Sequence, residues 1–450
     1  MSLRPEASLD SKEEDTVKEQ SRSVGYLQLI RANVDFRYLW SGEIISLFGD
    51  WFNLIGSAAL IAQLTGSGLA VGGLFVIRML AQFVGTQVGG VAADRYNRKR
   101  LLISTDLARA VIVLGFLFVR SPDHVWLLYA LTILLMAISG VFFPTRSAIL
   151  PDITTKQEIG TANALSATTW SVMLAIGAAL GGIAAGQWGI YQAFAIDALT
   201  FLVSAGLISR MSYEAPPTEE AAGLVAVAQD YLDGFRYLRR EPDVLFITLH
   251  KGALGLFIAG GIANVAMARV SQTLFVIGEG GGTGLGLLFA IVGLGTGVGP
   301  LLSRLLTGDR GPALRRSLIP LYLLGSLGLA VAATLASFEN VMLGMFLRGF
   351  AVGGIWVFST QLLYQLVDHK LLGRVLSVEI AMFTLGSAIS AAFAGWALDA
   401  TSLELDGLFR LMALGGLIPA LLWLAWMRLG RPKEAEPTPS PDGEEWRLIE

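Results

Sequence analysis

Cysteine is absent from this 450-residue chain, and charged residues are scarce. Without cysteine there can be no disulfide, no thiolate nucleophile and no thiolate metal site. The three histidines are scattered, so we expect neither a metal nor a cofactor. Only 15% of the residues are charged, against roughly 25% in soluble domains. With 54% hydrophobic residues and a mean hydropathy of +0.60, this scarcity indicates an integral membrane protein.

Sequence motifs for two common functions are also missing. The chain contains no Gly-x-x-x-x-Gly-Lys-Ser/Thr phosphate loop and no catalytic serine elbow, so we expect neither an ATPase nor another enzyme. The net charge is −3 and no basic run is interleaved with aromatics, which argues against a nucleic-acid partner. Residues 1–23 lack the apolar run of a signal peptide and are typical of a disordered tail.

About twelve apolar segments follow, each near the ~20 residues that cross a bilayer. Their approximate spans are 38–63, 68–92, 101–120, 124–149, 160–186, 190–210, 243–269, 282–306, 316–337, 341–367, 374–399 and 406–428. Lysine and arginine concentrate in alternate connections between these segments, including the connections to which we assign Arg98, Arg146 and Arg236. The positive-inside rule therefore predicts an even number of transmembrane helices with both termini in the cytoplasm.

The two halves of the chain share a short repeat. GTQVGG at 85–90 returns as GTGVGP at 295–300, in segments 2 and 8. We therefore predict an all-α integral membrane fold of twelve transmembrane helices in two pseudo-symmetric six-helix bundles. The predicted domains are a cytoplasmic N-terminal tail (1–36), a first bundle (37–211), a cytoplasmic linker with an amphipathic helix (212–242), a second bundle (243–428) and a disordered cytoplasmic C-terminal tail (429–450).

Segment 1 carries two acidic residues, Glu43 and Asp50, seven residues apart. At 3.6 residues per turn they share one helix face. Ser46, Asn53 and Ser57 fall on the same stripe, and Gly42, Gly49 and Gly56 on the neighbouring one. A carboxylate at mid-membrane costs at least ~2.5–3.5 kcal/mol, so it normally faces a partner, a cavity or a proton path. This segment is therefore predicted to form a wall of a transport path.

Arg78 enters segment 2 from the opposite membrane face and is predicted to meet Asp50 near the midplane. The pair has two interpretations. Protonation of Asp50 releases Arg78 and biases one conformational state, or a permanent ion pair fixes segments 1 and 2 together. Glu43 is expected nearer the cytoplasm, either as a coupling or substrate residue or at the mouth of a wet cavity.

The string GGVAADRYNRK at 89–99 resembles the loop signature between helices 2 and 3 of the major facilitator superfamily. The matching residues are Gly90, Asp94, Arg95, Arg98 and Lys99, with Asn97 in place of the usual glycine. The resemblance implies a gating latch at the cytoplasmic side. In it, Gly90 permits close helix contact and Asp94 faces the positive N-terminal end of a nearby helix.

Four further strings resemble the enterobactin-exporter-like and macrolide-efflux-like bacterial branch of that superfamily: NVDFRYLWSGEIISLFGDWF, FFPTRSAILPDI, DGFRYLRREP and LLGRVLS. This resemblance implies a monomeric exporter of a small amphipathic, drug- or siderophore-like molecule in the bacterial inner membrane. It would work by alternating access in exchange for protons, with sodium as the alternative ion. A lysophospholipid flippase or an importer of the same fold is the first alternative, and a non-transporting sensor or scaffold is the second.

Other intramembrane polar residues have more modest predicted roles. Asp106 and Arg109 are expected to form a local pair beside the signature, and Lys251 and Glu379 an ion pair in the second half. Arg348 is expected toward the outer half of the cavity, where it could attract an anionic substrate. Asp197 is expected to satisfy a neighbouring helix, and His250 to be a hydrogen-bonded packing residue. The candidate cavity-lining residues are Phe142, Phe143, Trp356, Gln361, Tyr364 and Gln365.

Overall fold

The computed structural model describes residues 24–213, 224–307 and 311–429, which are helical and contain no strand. Within these described ranges, twelve helices are long and apolar enough to cross a membrane, which confirms the predicted number. We number them α1–α12. They are Val34–Thr65, Gly68–Arg95, Arg98–Phe118, Pro122–Ile153, Ile159–Trp188, Ile190–Ser209, Pro242–Thr273, Glu279–Leu305, Gly311–Ala332, Phe338–Leu366, Leu371–Ala400 and Leu405–Leu429.

Short polar side chains begin several of these helices. The side-chain oxygen of Asn33 accepts the backbone N–H of Phe36 at the start of α1, and Ser67 accepts that of Ala70 at the start of α2. Each cap satisfies a backbone donor that the first turn of a helix leaves without a partner. At the other end of α1, Gly66 adopts a left-handed conformation with φ of 64° and closes the helix.

The helices extend beyond several of the predicted segment ends. The α1 helix begins at Val34, inside the range predicted as a tail, and a short helix, Tyr26–Ala32, precedes it. The α4 helix continues to Ile153 through Pro144 and Pro151. The rest of the predicted N-terminal tail, residues 1–23, and the predicted C-terminal tail from residue 430 lie outside the described residues.

The described residues form two compact units. Unit 1 falls within Met1–Val225 and Val270–Ala290, and unit 2 within Ala226–Arg269 and Ile291–Glu450. The stretch 270–290, predicted as part of the second bundle, belongs to unit 1, and the predicted linker 212–242 is divided between the two units after Val225. Within unit 1 that stretch contacts α1, because the Gln272 amide donates to the Ala58 carbonyl at 3.0 Å and the Phe289 ring lies 5.5 Å from that of Trp51.

The sequence repeat has the same packing role in both units. In unit 1, a Cβ atom at Gly85 of α2 would overlap the Ala137 carbonyl of α4. In unit 2, a Cβ atom at Gly295 of α8 would approach the Phe346 carbonyl oxygen of α10 to 2.5 Å. Only glycine permits this close approach of two backbones. The repeat therefore marks equivalent helix contacts in two pseudo-symmetric bundles.

The predicted amphipathic linker helix spans Leu224–Arg240, and its residues from Ala226 onward belong to unit 2. One face packs on α11, because Leu238 is buried and Gly234 lies against Arg374 and Val378. Phe235 is partly exposed, and the Arg239 guanidinium lies 4.8 Å above its ring.

Candidate functional site

The polar stripe of α1 is buried inside unit 1, as the seven-residue spacing predicts. Glu43, Ser46, Asn53 and Ser57 are each at most 5% exposed. The neighbouring glycine stripe packs on α6. A Cβ atom built at Gly42 would meet Ser204, and one built at Gly56 would meet Phe194. A Cβ atom built at Gly49 would meet both Asp197 and Thr200.

Glu43 forms a buried ion pair with Arg146 of α4. The Glu43 Oε2 and Arg146 Nη2 atoms lie 2.9 Å apart, and Arg146 also donates to the Ser166 hydroxyl of α5. Two sequence-based assignments are therefore corrected. Glu43 is buried by protein rather than at a wet cavity mouth, and Arg146 is a buried helix residue rather than a loop cation, because α4 continues past it.

A second ionic cluster lies one to two turns further along α1. The Arg109 guanidinium of α3 is hydrogen-bonded to Asp106, and its Nη1 atom lies 3.9 Å from Asp50 Oδ2. The rings of Phe142 and Phe201 contact this guanidinium at 4.5 and 4.2 Å. The predicted Asp106–Arg109 pair is thus present. Phe142, predicted to line a cavity, instead packs in the protein interior against Arg109.

Arg78 donates to Asn53 rather than to Asp50. Its Nη1 atom lies 3.1 Å from the Asn53 amide oxygen, which also accepts the Ser57 hydroxyl at 3.4 Å. Among the described residues, Asp50 and Arg78 form no direct ion pair, so the prediction that these two side chains meet is wrong. The two side chains remain close enough to interact electrostatically, because both belong to the cluster around Arg109.

The loop signature ties α2, α3 and α4 together at one end of unit 1. Arg98 donates to the Ala148 carbonyl at 3.1 Å and pairs with Asp152 of α4 at 2.7 Å. Lys99 donates to the Met211 carbonyl just after α6 at 2.5 Å. The Tyr213 hydroxyl also donates to Asp152. Burial, reinforced by that bond, raises the pKa of Tyr213 to about 12, so the phenol stays a donor at physiological pH.

Two expectations for the signature have different outcomes. A Cβ atom at Gly90 would meet no described atom within 4 Å, so the expected close helix contact is not made there, and Gly85 makes it instead. Asp94 and Arg95 are exposed on unit 1. Their role in a latch stays a prediction.

Unit 2 contains the predicted ion pair between Lys251 of α7 and Glu379 of α11, with an Nζ–Oε1 distance of 2.8 Å. Both side chains are at most 2% exposed. The Lys251 ammonium also donates to Thr360 at 2.6 Å and lies 4.0 Å from the ring centroid of Trp356. His250 is buried between the rings of Tyr322 and Trp423, as expected of a packing residue.

Arg348 is buried and binds backbone rather than facing an open cavity. Its guanidinium donates to the Ile258 and Ala259 carbonyls at 2.7 and 3.0 Å. These contacts contradict the expectation of an arginine free to attract an anionic substrate.

The predicted cavity-lining residues differ in exposure. Phe143 and Tyr364 are about half exposed. Gln361 is partly buried, and Trp356 packs edge-on against Phe383 at 5.0 Å besides contacting Lys251. A role in binding substrate stays a prediction for all four residues.

The sequence profile of the Major Facilitator Superfamily matches residues 39–321 and 283–449, which together span most of the chain. The chain belongs to this superfamily. It is therefore a multi-pass bacterial membrane transporter, as the loop signature and the twelve helices indicate.

Named relatives of this transporter include exporters. It is 27% identical over 445 residues to the enterobactin exporter EntS of Citrobacter koseri, covering 93% of this chain and 97% of the relative. It is also 27% identical over 387 residues to the uncharacterized MFS-type transporter YfiS of Bacillus subtilis, covering 82% and 87%. Among solved structures, the nucleoside transporter NupG superposes with a TM-score of 0.66 at 12% identity, covering 88% of this chain and 99% of NupG. That likeness confirms the fold.

Sequence reasoning missed one member of this transporter's ionic network, Arg146. Arg146 falls inside the predicted segment 124–149, and that placement favours an intrahelical position over a loop. A buried arginine next to α1 then identifies Glu43 as its partner, because the acidic residue lies on the buried face.

Proposed function

We propose that this transporter is a secondary active exporter that moves a small amphipathic molecule, drug- or siderophore-like, across the cytoplasmic membrane by alternating access in exchange for protons. Full-length similarity to an enterobactin exporter supports the direction and the substrate class. The concentration of lysine and arginine in alternate connections supports cytoplasmic positions for both termini.

The observation that carries the proposal is the pairing of two α1 carboxylates with buried arginines. Glu43 pairs with Arg146, and Asp50 lies beside Arg109, all within helices of membrane length. Such groups are costly in a bilayer and typically mark ion or proton pathways. One charge moved down the membrane potential supplies ~2.3 kcal/mol per 100 mV, enough to drive a gradient-powered carrier.

Asp50 is the carboxylate we assign to proton exchange. Its side chain is 26% exposed, whereas Glu43 and Asp106 are nearly fully buried. Its contact with Arg109 is long, at 3.9 Å, because the same guanidinium is bound more closely by Asp106. Protonation of Asp50 therefore breaks no short hydrogen bond and leaves Arg109 neutralised. Arg78, which is hydrogen-bonded to Asn53, adds a second positive charge to the cluster, and its electrostatic energy changes when Asp50 is protonated.

The test is substrate-triggered proton flux in proteoliposomes that contain a pH-sensitive dye. The full chain and Asp50→Asn are compared while a catecholate siderophore and cationic amphipathic dyes are added in turn. We expect flux with at least one probe for the native chain, and a rate equal to that of protein-free liposomes for Asp50→Asn. The matched control is Asp123→Asn, at an exposed position in the first turn of α4, which should behave like the native chain.

Each alternative outcome has a clear meaning. Probe transport with unaltered proton flux in Asp50→Asn would make Asp50 a structural residue. Transport of lysophospholipid without proton movement would favour a flippase. Native protein that moves no probe in either direction would favour a sensor or scaffold.

A further inference from the structure

A third carboxylate, Asp197 of α6, reaches the cluster around Arg109 from the side opposite the exposed edge of Asp50. Its side chain is 0% exposed. It packs against Gly49 of α1 so closely that a methyl group there would overlap the Asp197 Oδ1 atom. The α6 helix therefore presses this carboxyl group directly onto the α1 backbone.

No well-formed hydrogen bond reaches either carboxyl oxygen of Asp197 among the described residues, and the amide of Asn53 is the neighbouring side-chain donor. The hydroxyl groups nearby are committed elsewhere, because Thr200 donates to the Asp197 backbone carbonyl at 2.7 Å and Ser204 donates to Asp106 at 2.7 Å. The guanidinium of Arg109 is bound to Asp106, and that of Arg78 to Asn53. A buried carboxylate in this position would lack the bonds that an ionised oxygen requires.

The net charge of the cluster also favours a neutral, protonated carboxyl group. The charged groups that face Asp197 are Asp50 on α1, Arg78 on α2 and Arg109 on α3, and Arg109 also binds Asp106. The last turn of α5, Ala184–Trp188, also packs against α6 and has no titratable side chain. Three carboxylates against two guanidiniums would leave one uncompensated negative charge in the membrane interior, which is costly. One bound proton makes the cluster neutral.

We propose that this proton resides on Asp197 at neutral pH, and that the carboxyl group of Asp197 is a proton-binding site of the transporter. Asp106 does not hold it, because this carboxylate accepts bonds from both Arg109 and Ser204. Asp50 does not hold it, because it is partly exposed and faces the Arg109 guanidinium. Of the three carboxyl groups in the cluster, Asp197 is the fully buried one whose oxygens accept no well-formed hydrogen bond and no contact from a guanidinium among the described residues.

The use of this site in transport rests on the proposed function, whereas the protonation state itself does not. When Asp50 takes a proton from water, the cluster gains one positive charge. Loss of the Asp197 proton restores neutrality, so that one proton is taken up and one is released. Asp197 would thus couple the binding of a proton at the exposed edge to the release of another from the interior.

Infrared difference spectroscopy of the full-length protein in lipid tests the protonation state without any transport measurement. A protonated carboxylic acid has a C=O stretching band that a carboxylate lacks, and isotope exchange in D₂O shifts it. We expect this band at neutral pH in the native chain and its loss in Asp197→Asn. In Asp50→Asn the band should weaken, because a neutral side chain at position 50 has the same effect on the charge of the cluster as protonation of Asp50. Absence of the band in the native chain, or its survival in Asp197→Asn, would overturn the proposal.

Thermal unfolding gives an independent test in case Asp197→Asn alters the cluster. An amide closely replaces a protonated carboxyl group, so Asp197→Asn should unfold within about a degree of the native chain at neutral pH. Asp106→Asn is the matched control, because it removes an ionised partner of Arg109 and should lower the unfolding temperature clearly. Equal and large losses for both variants would show that Asp197 is ionised. If the proposed function is wrong, the native protein will show no proton flux in proteoliposomes. That result does not depend on the outcome of the infrared and unfolding measurements.

Discussion

At the scale of single residues, the described ionic contacts of unit 1 centre on arginines rather than on carboxylates. Arg109 binds Asp106, lies beside Asp50 and is flanked by two aromatic rings. A planar guanidinium can do this because it presents several donors at its edge and a face that stacks on rings. Carboxylates from two helices can therefore share one positive charge.

The Glu43–Arg146 pair predicts a strong and mutually dependent contribution to stability. Arg146→Gln leaves Glu43 buried without its cation and should lower the free energy of unfolding by about 3–5 kcal/mol. The double variant Glu43→Gln with Arg146→Gln should recover much of that loss, because neither side chain is then charged. Unfolding of the four proteins in detergent gives the double-mutant cycle, and additive losses would contradict the pairing.

The sequence predicted which residues of α1 are buried and polar, but not all of their partners. The stripe through Glu43 and Asp50 follows from helix geometry alone. Helix geometry alone does not show whether Arg78 or Arg109 is the neighbour of Asp50. A shift of one residue along a helix rotates the side-chain direction by 100°, and this rotation decides which neighbouring helix the side chain faces. Asp50 lies beside Arg109, while Arg78 reaches Asn53, one turn further along.

At the scale of helices, α7 is interrupted near its middle. A π-helical turn, Gly255–Ala259, is followed by Gly260 in an extended conformation. The backbone N–H of Ile262 bonds to the Ser390 hydroxyl, and that of Ala263 to the Gly260 carbonyl. The carbonyls of residues 258 and 259 therefore lose their usual helical donors four residues on, and Arg348 supplies replacements.

Removing this replacement should destabilise the break in α7. Arg348→Met leaves two buried carbonyl groups without a donor and should cost about 1–3 kcal/mol for each. Arg410→Met, at a position that is 68% exposed, is the control and should cost less than about 1 kcal/mol. Thermal unfolding measures both effects. A normal unfolding temperature for Arg348→Met combined with an altered charge preference for substrates would favour the earlier expectation of an anion-attracting arginine.

The contact between α2 and α4 gives a prediction with a control in the same helix. Gly85→Ala forces a methyl group against the Ala137 carbonyl and should cost about 1–3 kcal/mol. Gly90→Ala meets no described atom within 4 Å and should be neutral or stabilising by up to about 1 kcal/mol, because alanine favours the helix. Unfolding temperature and yield of folded protein measure the difference. Destabilisation by Gly90→Ala alone would restore the close contact predicted for that glycine.

The helices themselves were predictable because a bilayer demands about twenty consecutive apolar residues. Their ends were less so. Polar caps such as Asn33 lie outside the apolar run, and α4 continues through Pro151 to Ile153, beyond the predicted end at residue 149. Arg146 lies inside the predicted segment, so its pairing with Glu43 depends on the direction of its side chain and not on where the helix ends.

At the scale of the whole molecule, the orientation in the membrane is a prediction from charge. If the C-terminus is cytoplasmic, green fluorescent protein fused after Leu429 should fluoresce. Alkaline phosphatase fused at the same position should then be inactive. Phosphatase fused after Ser121, between α3 and α4, should be active. The opposite pair of results would invert the topology and place the loop signature outside the cytoplasm.

The repeated glycine motif suggests how the two units came to share one architecture. Gly85 and Gly295 occupy matching positions in α2 and α8, and each brings a neighbouring helix into backbone contact. The repeat was visible in sequence because close packing permits only glycine there. The ionic residues show no such repeat, because Glu43, Asp50 and Asp197 have no counterpart at matching positions in unit 2, where Lys251 pairs with Glu379 instead.

The absence of cysteine has a practical consequence for following this transporter in motion. Most carriers must first have their native thiols removed, often with some loss of activity, before a probe can be attached. Here the natural chain is already free of them. Two introduced thiols, one in each unit, would carry nitroxide spin labels with no background, and dipolar spectroscopy would then record their separation in the unmodified remainder of the protein, with and without a proton gradient.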